Sequence, residues 1–182
     1  PIDDDRWGMW RDYKPFGGGM ITDWGAHMFD IVQWALDRDA GGPVQFTPPN
    51  HPAEIGLTFT YDNGLTVSHS RWGKGCNEIQ FIGTEGRLEV SRSYLKTFPN
   101  ASLAKEDLPS TATKRIYHSE NHHLDWLQAI RDRTRPICDV EVGHRTATVC
   151  NIANIAYDLQ RPLEWNTTTE KFVDDPSANL LL

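Results

Sequence analysis

A helical repeat of apolar residues runs through residues 22–37. The apolar positions on one side of this repeat are Trp24, Met28, Ile31 and Ala35. Thr22 has the side chain of a good N-cap, and Asp23 in the first turn suits the positive end of the helix dipole. We therefore predict a helix from about Thr22 to Asp37 that buries those four side chains.

The repeat shortens to two residues between positions 55 and 68, which is typical of a half-buried strand. Asp62-Asn63-Gly64 interrupts the alternation, and Asn-Gly is the strongest short signal for a hairpin turn. The sequence thus predicts a β-hairpin with an apolar face and a face of small hydroxyls. The hydroxyl face comprises Thr58, Thr60, Thr66, Ser68 and Ser70.

Further strands and helices follow the hairpin. "EIQFIGTEGRLEV" predicts two strands joined by a turn at 83–86, and strands are also expected at 93–98 and 114–117. In the last third, Leu124, Leu127 and Ile130 have the spacing of one buried helix face. Asp139 is expected to cap the longest helix, which runs to about Gln160. Its predicted buried stripe is Val142, Thr146, Val149, Ala153 and Ala156.

The ends of the chain give weaker patterns. Residues 1–20 are rich in Trp, Arg, Asp and Gly without a clear period, so we predict an ordered loop there. Residues 161–182 are expected to close the fold with a short helix. The order of loop, helix, strands and helices indicates an α+β fold. We expect an open, mostly antiparallel sheet with helices packed on one face, in one domain of 182 residues.

Composition narrows the partners of this domain. The formal net charge of −7 disfavours nucleic acid, because phosphate binding needs a basic surface. The sequence has no apolar run of about 18 residues that would cross a membrane. Cys76, Cys138 and Cys150 have no CxxC spacing, so we expect three separate thiols, with Cys138 and Cys150 buried. This cysteine pattern is compatible with more than one cellular compartment.

One row of ionisable side chains stands out within the first predicted helix. Asp23, His27 and Asp30 follow Gly17-Gly18-Gly19 and lie on one stripe, because residues three or four apart are neighbours on a helix. The Asp23 charge is expected to favour protonation of His27, and such an imidazole suits proton exchange near neutral pH. An aspartate at the start of the helix that forms an exposed pair with a histidine one turn later explains the same spacing. A metal site is a third interpretation.

The stretch "GGGMITDWGAHMFDIVQWAL" resembles the GGG…D-x-G-x-H-x-x-D…W segment of the Gfo/Idh/MocA family (glucose–fructose oxidoreductase, inositol dehydrogenase and MocA). "FIGTEGRLEV" is similar to that family's G-T-x-G strand turn. "RPICDVEVGHRTATVCNIANIAYDLQRPLEWN" is similar to its closing helix and tail. The resemblance covers most of residues 7–182.

The resemblance implies that residues 1–182 form the C-terminal substrate and oligomerisation domain of a two-domain oxidoreductase. NAD or NADP would be bound mainly by an N-terminal Rossmann domain outside this sequence, so the chain alone is expected to be inactive. The substrate would be a sugar, inositol or related polyol that reacts at a ring hydroxyl. His27 and Asp23 match the family's Asp-x-x-x-His pair, with His27 exchanging the hydroxyl proton and Asp23 orienting it. Asp30 is expected to fix the helix to a neighbouring segment.

Two clusters of aromatic and basic residues could bind a sugar near this row. The candidate substrate-binding residues in these two clusters are Trp10, Arg11, Lys14, Arg71, Trp72 and Lys74. Each of them, taken singly, is also typical of a solvated charge or a packing tryptophan. Two other functions remain open: an NAD-dependent glycosidase of the same family, and a module that only binds or assembles. The hydroxyl face of the hairpin is the expected surface for a homo-oligomer.

Overall fold

The computed structural model describes residues 3–52, 54–70, 77–105 and 118–182. The chain divides into two compact units. The first unit combines residues 1–77 with residues 141–182, and the second contains residues 78–140. The candidate row of ionisable residues lies in the first unit.

The described residues form the following elements. The helices are α1 (Asp4–Gly8), α2 (Lys14–Gly17), α3 (Met20–Ala35), α4 (His122–Asp132), α5 (Val140–Leu159) and α6 (Pro176–Asn179), with 3-10 turns at Trp10–Asp12 and Ala101–Lys105. The strands are β1 (Gln45–Thr47), β2 (Leu57–Thr60), β3 (Thr66–His69), β4 (Ile79–Ile82), β5 (Arg87–Val90), β6 (Leu95–Phe98), β7 (Leu163–Asn166) and β8 (Lys171–Phe172).

The first unit is built on a five-stranded sheet in the order β3-β2-β1-β7-β8. Every neighbouring pair in it is antiparallel. The predicted hairpin is confirmed as β2 and β3. In its turn, Gly64 has a φ of +80° and the Asn63 side chain accepts a hydrogen bond from the amide of Leu65 at 3.1 Å. This is the left-handed backbone that glycine adopts without a steric cost.

Helices cover one face of this sheet, so the α+β prediction is confirmed. Residues alternate between the two faces of each strand, and the apolar set points toward α3 and α5. The core contains Phe29 from α3, Phe46, Leu57, Phe59, Leu163, Trp165 and Phe172 from the strands, and Val149, Cys150, Ile152, Ala153, Ile155 and Ala156 from α5. The predicted buried stripe of the longest helix is therefore largely correct.

The opposite face of the five-stranded sheet carries hydroxyls, as predicted. Thr58 lies opposite Ser68 and Thr60 lies opposite Thr66 in the β2–β3 register. Gln45 and Thr47 of β1 continue the same face beside Thr60 and Thr58. The prediction succeeded because a period of two places every second residue on the same side of a pleated strand.

The helix α3 differs from its prediction in both start and orientation. It begins at Met20 with Gly19 as its N-cap, two residues before Thr22. Its buried side chains are Met28, Phe29, Val32 and Gln33. Of the four side chains predicted to be buried, only Met28 is, whereas Ala35 is exposed and Trp24 and Ile31 are half-buried. The buried face is rotated because the sheet selects the largest continuous apolar surface, which is centred on Phe29 and Val32.

Both ends of the chain are more regular than predicted. Residues 4–17 form three short helical pieces rather than a loop, since Asp3 caps α1 by accepting from the amide of Arg6 at 3.2 Å. Residues 163–172 add strands β7 and β8, which sequence periodicity missed because they are only four and two residues long. The short C-terminal helix is confirmed as α6.

The second unit contains a three-stranded antiparallel sheet in the order β4-β5-β6. The turn at 83–86 is confirmed, and the Gly83 amide donates to the Gly86 carbonyl at 2.8 Å. The helix α4 also forms as predicted, with the Asn121 side chain as its cap. However, Leu124, Leu127 and Ile130 are exposed rather than buried. Apolar spacing identifies a face of a helix, but it does not ensure that the fold covers that face.

Three other predictions can be compared with the described residues. Cys150 is buried as expected, and burial raises the pKa of its thiol to about 12. The prediction that Cys138 is buried is wrong, because Cys138 is exposed in the segment that connects α4 to α5 along the chain. Cys76 and the strand expected at 114–117 lie outside the described residues. Over the described ranges, none of the helices has both the length and the apolar character needed to cross a bilayer.

Candidate active site

The glycine run positions the start of α3. Gly18 has a φ of +82°, and a Cβ atom there would overlap the Thr22 side chain. A Cβ atom on Gly17 would lie only 2.9 Å from the indole of Trp10. The Thr22 hydroxyl donates to the carbonyl of Gly19 at 2.9 Å and also to that of Gly17. The turn therefore needs glycine both for its backbone and for close packing.

The same turn is attached to α5. The Asn154 side-chain amide donates to the carbonyl of Gly18 at 2.6 Å. The Lys14 ammonium donates to the Asn154 carbonyl at 3.3 Å and forms an ion pair with Asp158. Lys14 and Gly18 are thus both bonded to residues of α5. Lys14, a candidate substrate-binding residue, lies in this attachment with its side chain 40% exposed.

The His27 imidazole lies on the exposed side of α3, as the catalytic interpretation requires. At about 100° of rotation per residue, position 27 lies roughly 170° from the centre of the buried face. The ring is in edge contact with the indole of Trp24, with ring centroids 5.5 Å apart and planes at 64°. This imidazole therefore faces away from the core and is accessible to a small molecule.

Asp23 lies one turn before His27 and is held by Arg11. The Arg11 Nε donates to Asp23 Oδ1 at 3.2 Å. The guanidinium also stacks over the Trp10 ring, 4.5 Å from its centroid. The structure thus brings Trp10, Arg11 and Asp23 into one cluster on the stripe that carries His27. An ion pair at this exposure is worth up to about 1 kcal/mol in stability.

Asp30, the third member of the row, serves the fold. Its Oδ1 accepts a hydrogen bond from the Thr146 hydroxyl of α5 at 3.0 Å. This contact joins the two long helices, as expected from the sequence. The row of three ionisable side chains therefore divides into an outward pair, Asp23 and His27, and an inward anchor, Asp30.

Three other candidate residues cannot be placed. Arg71, Trp72 and Lys74 lie outside the described residues, so their proximity to His27 stays a prediction. The strand β3 that leads to them ends at His69. Their place in a substrate site thus depends only on the sequence argument.

Sequence reasoning missed Trp24 as a neighbour of His27. The helical repeat assigned Trp24 to the core, whereas its ring lies against the imidazole three residues later. The available signal was the i, i+3 spacing of two aromatic rings, which places them on adjacent turns.

A second histidine, His69, is enclosed near the end of β3. Tyr157 Oη accepts from the amides of Gly56 and Leu57 at 3.3 and 3.2 Å, and it lies 2.9 Å from His69 Nδ1. With both amides donating to the phenol oxygen, its hydrogen is available for His69 Nδ1. Burial lowers the pKa of His69. His69 is therefore a neutral structural acceptor, in contrast to the exposed His27.

The glycine turn before α3 is packed against side chains of its own chain. At Gly17 and Gly18, the place that a Cβ atom would take is occupied by Trp10 and Thr22 of the same chain. Among the residues that the structure describes, no group of three or more His, Cys, Asp or Glu side chains could hold a metal ion.

Comparison with known proteins decides the family. Residues 3–182 match the Gfo/Idh/MocA domain described as "Oxidoreductase family, C-terminal alpha/beta domain". The chain belongs to this family. Its membership confirms the resemblance seen in the segment from Gly17 to Leu36.

A solved structure shares the fold of this Gfo/Idh/MocA domain. It is an NAD-binding protein from Listeria innocua, which aligns with a TM-score of 0.58 at 18% sequence identity. The alignment covers 90% of this chain but only 55% of that chain. The Gfo/Idh/MocA domain therefore spans about half the length of its structural neighbour. Among curated proteins, none matches this chain in sequence.

Proposed function

We propose that this chain is the substrate-binding and proton-transfer part of an NAD(P)-dependent oxidoreductase. Its substrate would be a sugar, inositol or related polyol that reacts at a ring hydroxyl. The proposal is supported by the family of the chain and by the NAD-binding protein that shares its fold. The single observation that carries it is the exposed His27 imidazole, one helical turn from an acidic side chain.

The proposed chemistry needs a base that removes the hydroxyl proton as the alcohol becomes a carbonyl. His27 takes this proton on a ring nitrogen and returns it in the reverse direction. Asp23 holds a substrate hydroxyl or the imidazole in place, and Arg11 fixes Asp23 through the 3.2 Å hydrogen bond. Hydride acceptance is the chemistry that a nicotinamide cofactor supplies, and we assign its binding mainly to a nucleotide-binding domain outside this chain.

The substrate would lie on the exposed side of the first half of α3. Trp10 is 41% exposed, and the part of its indole that Arg11 does not cover suits the C–H face of a sugar. Arg11 and Lys14 are held by Asp23 and Asp158 but remain 55% and 40% exposed, so they can still donate to hydroxyls. Arg71, Trp72 and Lys74 complete the proposed set from sequence alone.

The test is His27→Ala in the full-length protein, with oxidation of a panel of sugars and inositols followed by NADH or NADPH formation. Loss of the base should lower kcat by about 10²- to 10⁴-fold. His51→Ala, which changes another exposed histidine of the same unit, is the matched control and should retain activity. Full activity of His27→Ala would refute the catalytic role. Glycoside cleavage without net NADH formation would instead favour the glycosidase chemistry.

We further propose that the hydroxyl face of the five-stranded sheet pairs with a second copy of this chain. The supporting observation is that Thr58, Thr60, Thr66 and Ser68 form one continuous face opposite the helices. Thr58→Lys should convert an oligomer to a smaller species in light scattering, because a like charge would then meet its symmetry mate. Thr84→Lys, in the exposed β4–β5 turn, should leave the mass unchanged. An unchanged mass for Thr58→Lys would refute this interface.

A further inference from the structure

We propose that Asn154 is a positioning residue that acts on Asp23, the acidic member of the candidate pair, through the glycine turn before α3. The inference rests on the proposed function for its catalytic consequence. Its structural part depends on two bonds between Asn154 and the segment in front of α3. The side-chain amide donates to the carbonyl of Gly18 at 2.6 Å, and the backbone carbonyl accepts from the Lys14 ammonium at 3.3 Å.

The turn consists of three glycines, and glycine has the least restricted backbone of any residue type. Gly18 and Gly19 have φ angles of +82° and +75°, so the chain leaves α2 and enters α3 through left-handed backbone. The Thr22 hydroxyl holds the carbonyls of Gly17 and Gly19 from within α3. Asn154 holds the carbonyl between them from α5. The path of the turn is therefore fixed by one local and one distant side chain.

This turn separates the two partners of the ion pair at the candidate site. Arg11 lies before the turn and Asp23 lies after it, and Arg11 Nε donates to Asp23 Oδ1 at 3.2 Å. The Asp23 amide donates to the carbonyl of Gly19 at 3.1 Å, so Asp23 is bonded to the residue that follows Gly18. A rotation of the peptide between the two glycines would change the distance across the pair. The Asn154 amide opposes this rotation, because it would lose its acceptor.

The second bond of Asn154 holds the other end of the same segment. Lys14 begins α2, and its ammonium also pairs with Asp158, which lies one helical turn after Asn154 on α5. The Gly18 amide donates to the carbonyl of Lys14 at 2.8 Å at the end of α2. Asn154 thus contacts both the first residue of this short helix and the glycine that follows it. This part of the chain is held against α5 at two points.

The first test measures amide hydrogen exchange in the full-length protein with Asn154→Leu, Asn154→Gln and a control, Asn151→Leu. Leucine keeps the branching of the asparagine side chain but removes the donor, whereas glutamine keeps an amide. Asn151 is an exposed asparagine of the same helix. The reporters are the amides of Thr22 and Asp23, which both donate to the Gly19 carbonyl. They should exchange about 5-fold faster in Asn154→Leu, because the turn loses a hydrogen bond, and at the original rate in the control.

The second test measures kcat for the same variants. Asn154→Leu should lower kcat about 10-fold, because a small misplacement at a reacting centre is costly, and Asn154→Gln should restore most of the rate. The control should keep the original kcat. In a double-mutant cycle, Asn154→Leu should lower kcat by less than about 3-fold in an Arg11→Met background, because the pair that the turn aligns is already lost.

A second pair of variants covers the case in which Asn154→Leu does not fold. Asn154→Asp keeps a polar side chain but presents an acceptor to the Gly18 carbonyl, so it should have the same effects on exchange and kcat. Asn151→Asp introduces the same charge on the exposed side of α5 and is its control.

The outcomes separate this inference from the proposed function. Unchanged exchange of the two reporter amides would overturn it whatever the activity. Faster exchange with an unchanged kcat, or with independent effects of Asn154 and Arg11, would also overturn it and leave Asn154 a structural role only. Faster exchange, a lower kcat and a non-additive cycle would support it. Full activity of His27→Ala would refute the proposed function and overturn this inference with it, and that result is obtained without any change at Asn154.

Discussion

The two long helices of the first unit, α3 and α5, pack on the same sheet, but their buried residues are distributed differently along their lengths. The buried residues of α5 extend along the helix from Thr146 to Ala156. Those of α3 lie only in its second half, and no residue from Met20 to His27 is buried. The second half of α3 thus carries the buried side chains of the helix, whereas the first half holds Asp23 and His27, and only its partly buried Ile21 and Ala26 pack against the core. Most of the buried surface of α3 therefore lies in one half of the helix and the candidate pair in the other.

The largest expected effect comes from removing an anchor of α3. Phe29→Ala should lower the free energy of unfolding by about 3–5 kcal/mol, because the ring is buried and contacts Phe59 at a centroid distance of 5.1 Å. His27→Ala, two positions earlier, should change it by less than about 0.5 kcal/mol. Urea denaturation of both variants measures the difference. A similar loss of stability in both would mean that the first half of α3 is an anchor as well.

A smaller effect is expected where α3 and α5 are joined by a hydrogen bond. Thr146→Val keeps the shape of the side chain but removes the hydroxyl that donates to Asp30. The free energy of unfolding should fall by about 1–2 kcal/mol, because a carboxylate loses its donor in a partly buried setting. Thr66→Val makes the same change on the exposed face of the sheet and should have little effect. Equal effects would show that the Asp30 contact contributes nothing to the packing of the helices.

The smallest expected effect is a pH dependence of the free energy of unfolding. It arises from His69, whose Nδ1 lies 2.9 Å from the hydroxyl of Tyr157 on α5. Burial lowers the pKa of His69 below the usual value of 6.5. As the pH falls, His69 is therefore protonated at a higher pH in the unfolded chain than in the folded protein. The stabilisation by neutral His69 is therefore complete above about pH 6.5 and decreases as the pH falls toward the lowered pKa. Protonation of Nδ1 would also remove the acceptor for the Tyr157 hydroxyl.

Urea denaturation at pH 7.5 and pH 5 measures this dependence, and His69→Phe should reduce it. Two other groups with altered pKa values titrate outside this interval. The pKa of Glu170 is lowered from 4.5 by its hydrogen bond to His144, and that of Asp175 is lowered from 3.8 by Arg161. Their contributions are lost only as the pH falls further. A pH dependence that persists in His69→Phe would assign it to a different group.

The parts of the fold that the sequence predicted correctly depend on neighbouring residues. The hairpin turn at Asn63-Gly64 and the turn at 83–86 follow from local backbone preferences. The stripe of α5 follows from a repeat long enough to identify its buried side. Asp23 and His27 could be aligned on one stripe for the same reason, because helical spacing alone brings them together.

The parts that could not be predicted depend on residues far apart in the chain. The partner of Lys14 is Asp158, and the partner of Asp30 is Thr146, and no local pattern connects them. The orientation of α3 was wrong for a related reason. Its apolar repeat allows more than one buried side, and the sheet beneath it makes the choice. Strands as short as β8 carry too few residues to show a period.

The bond between Asn154 and Gly18 has a consequence for biosynthesis. Its two partners are 136 positions apart, so the glycine turn in front of α3 leaves the ribosome long before the amide that fastens it. The nascent chain must keep this turn unfastened while strands β1 to β6 are being translated. The glycine turn beside the candidate site is consequently fastened only after α5 has been made, and a polypeptide that lacks α5 has no Asn154 amide to hold it.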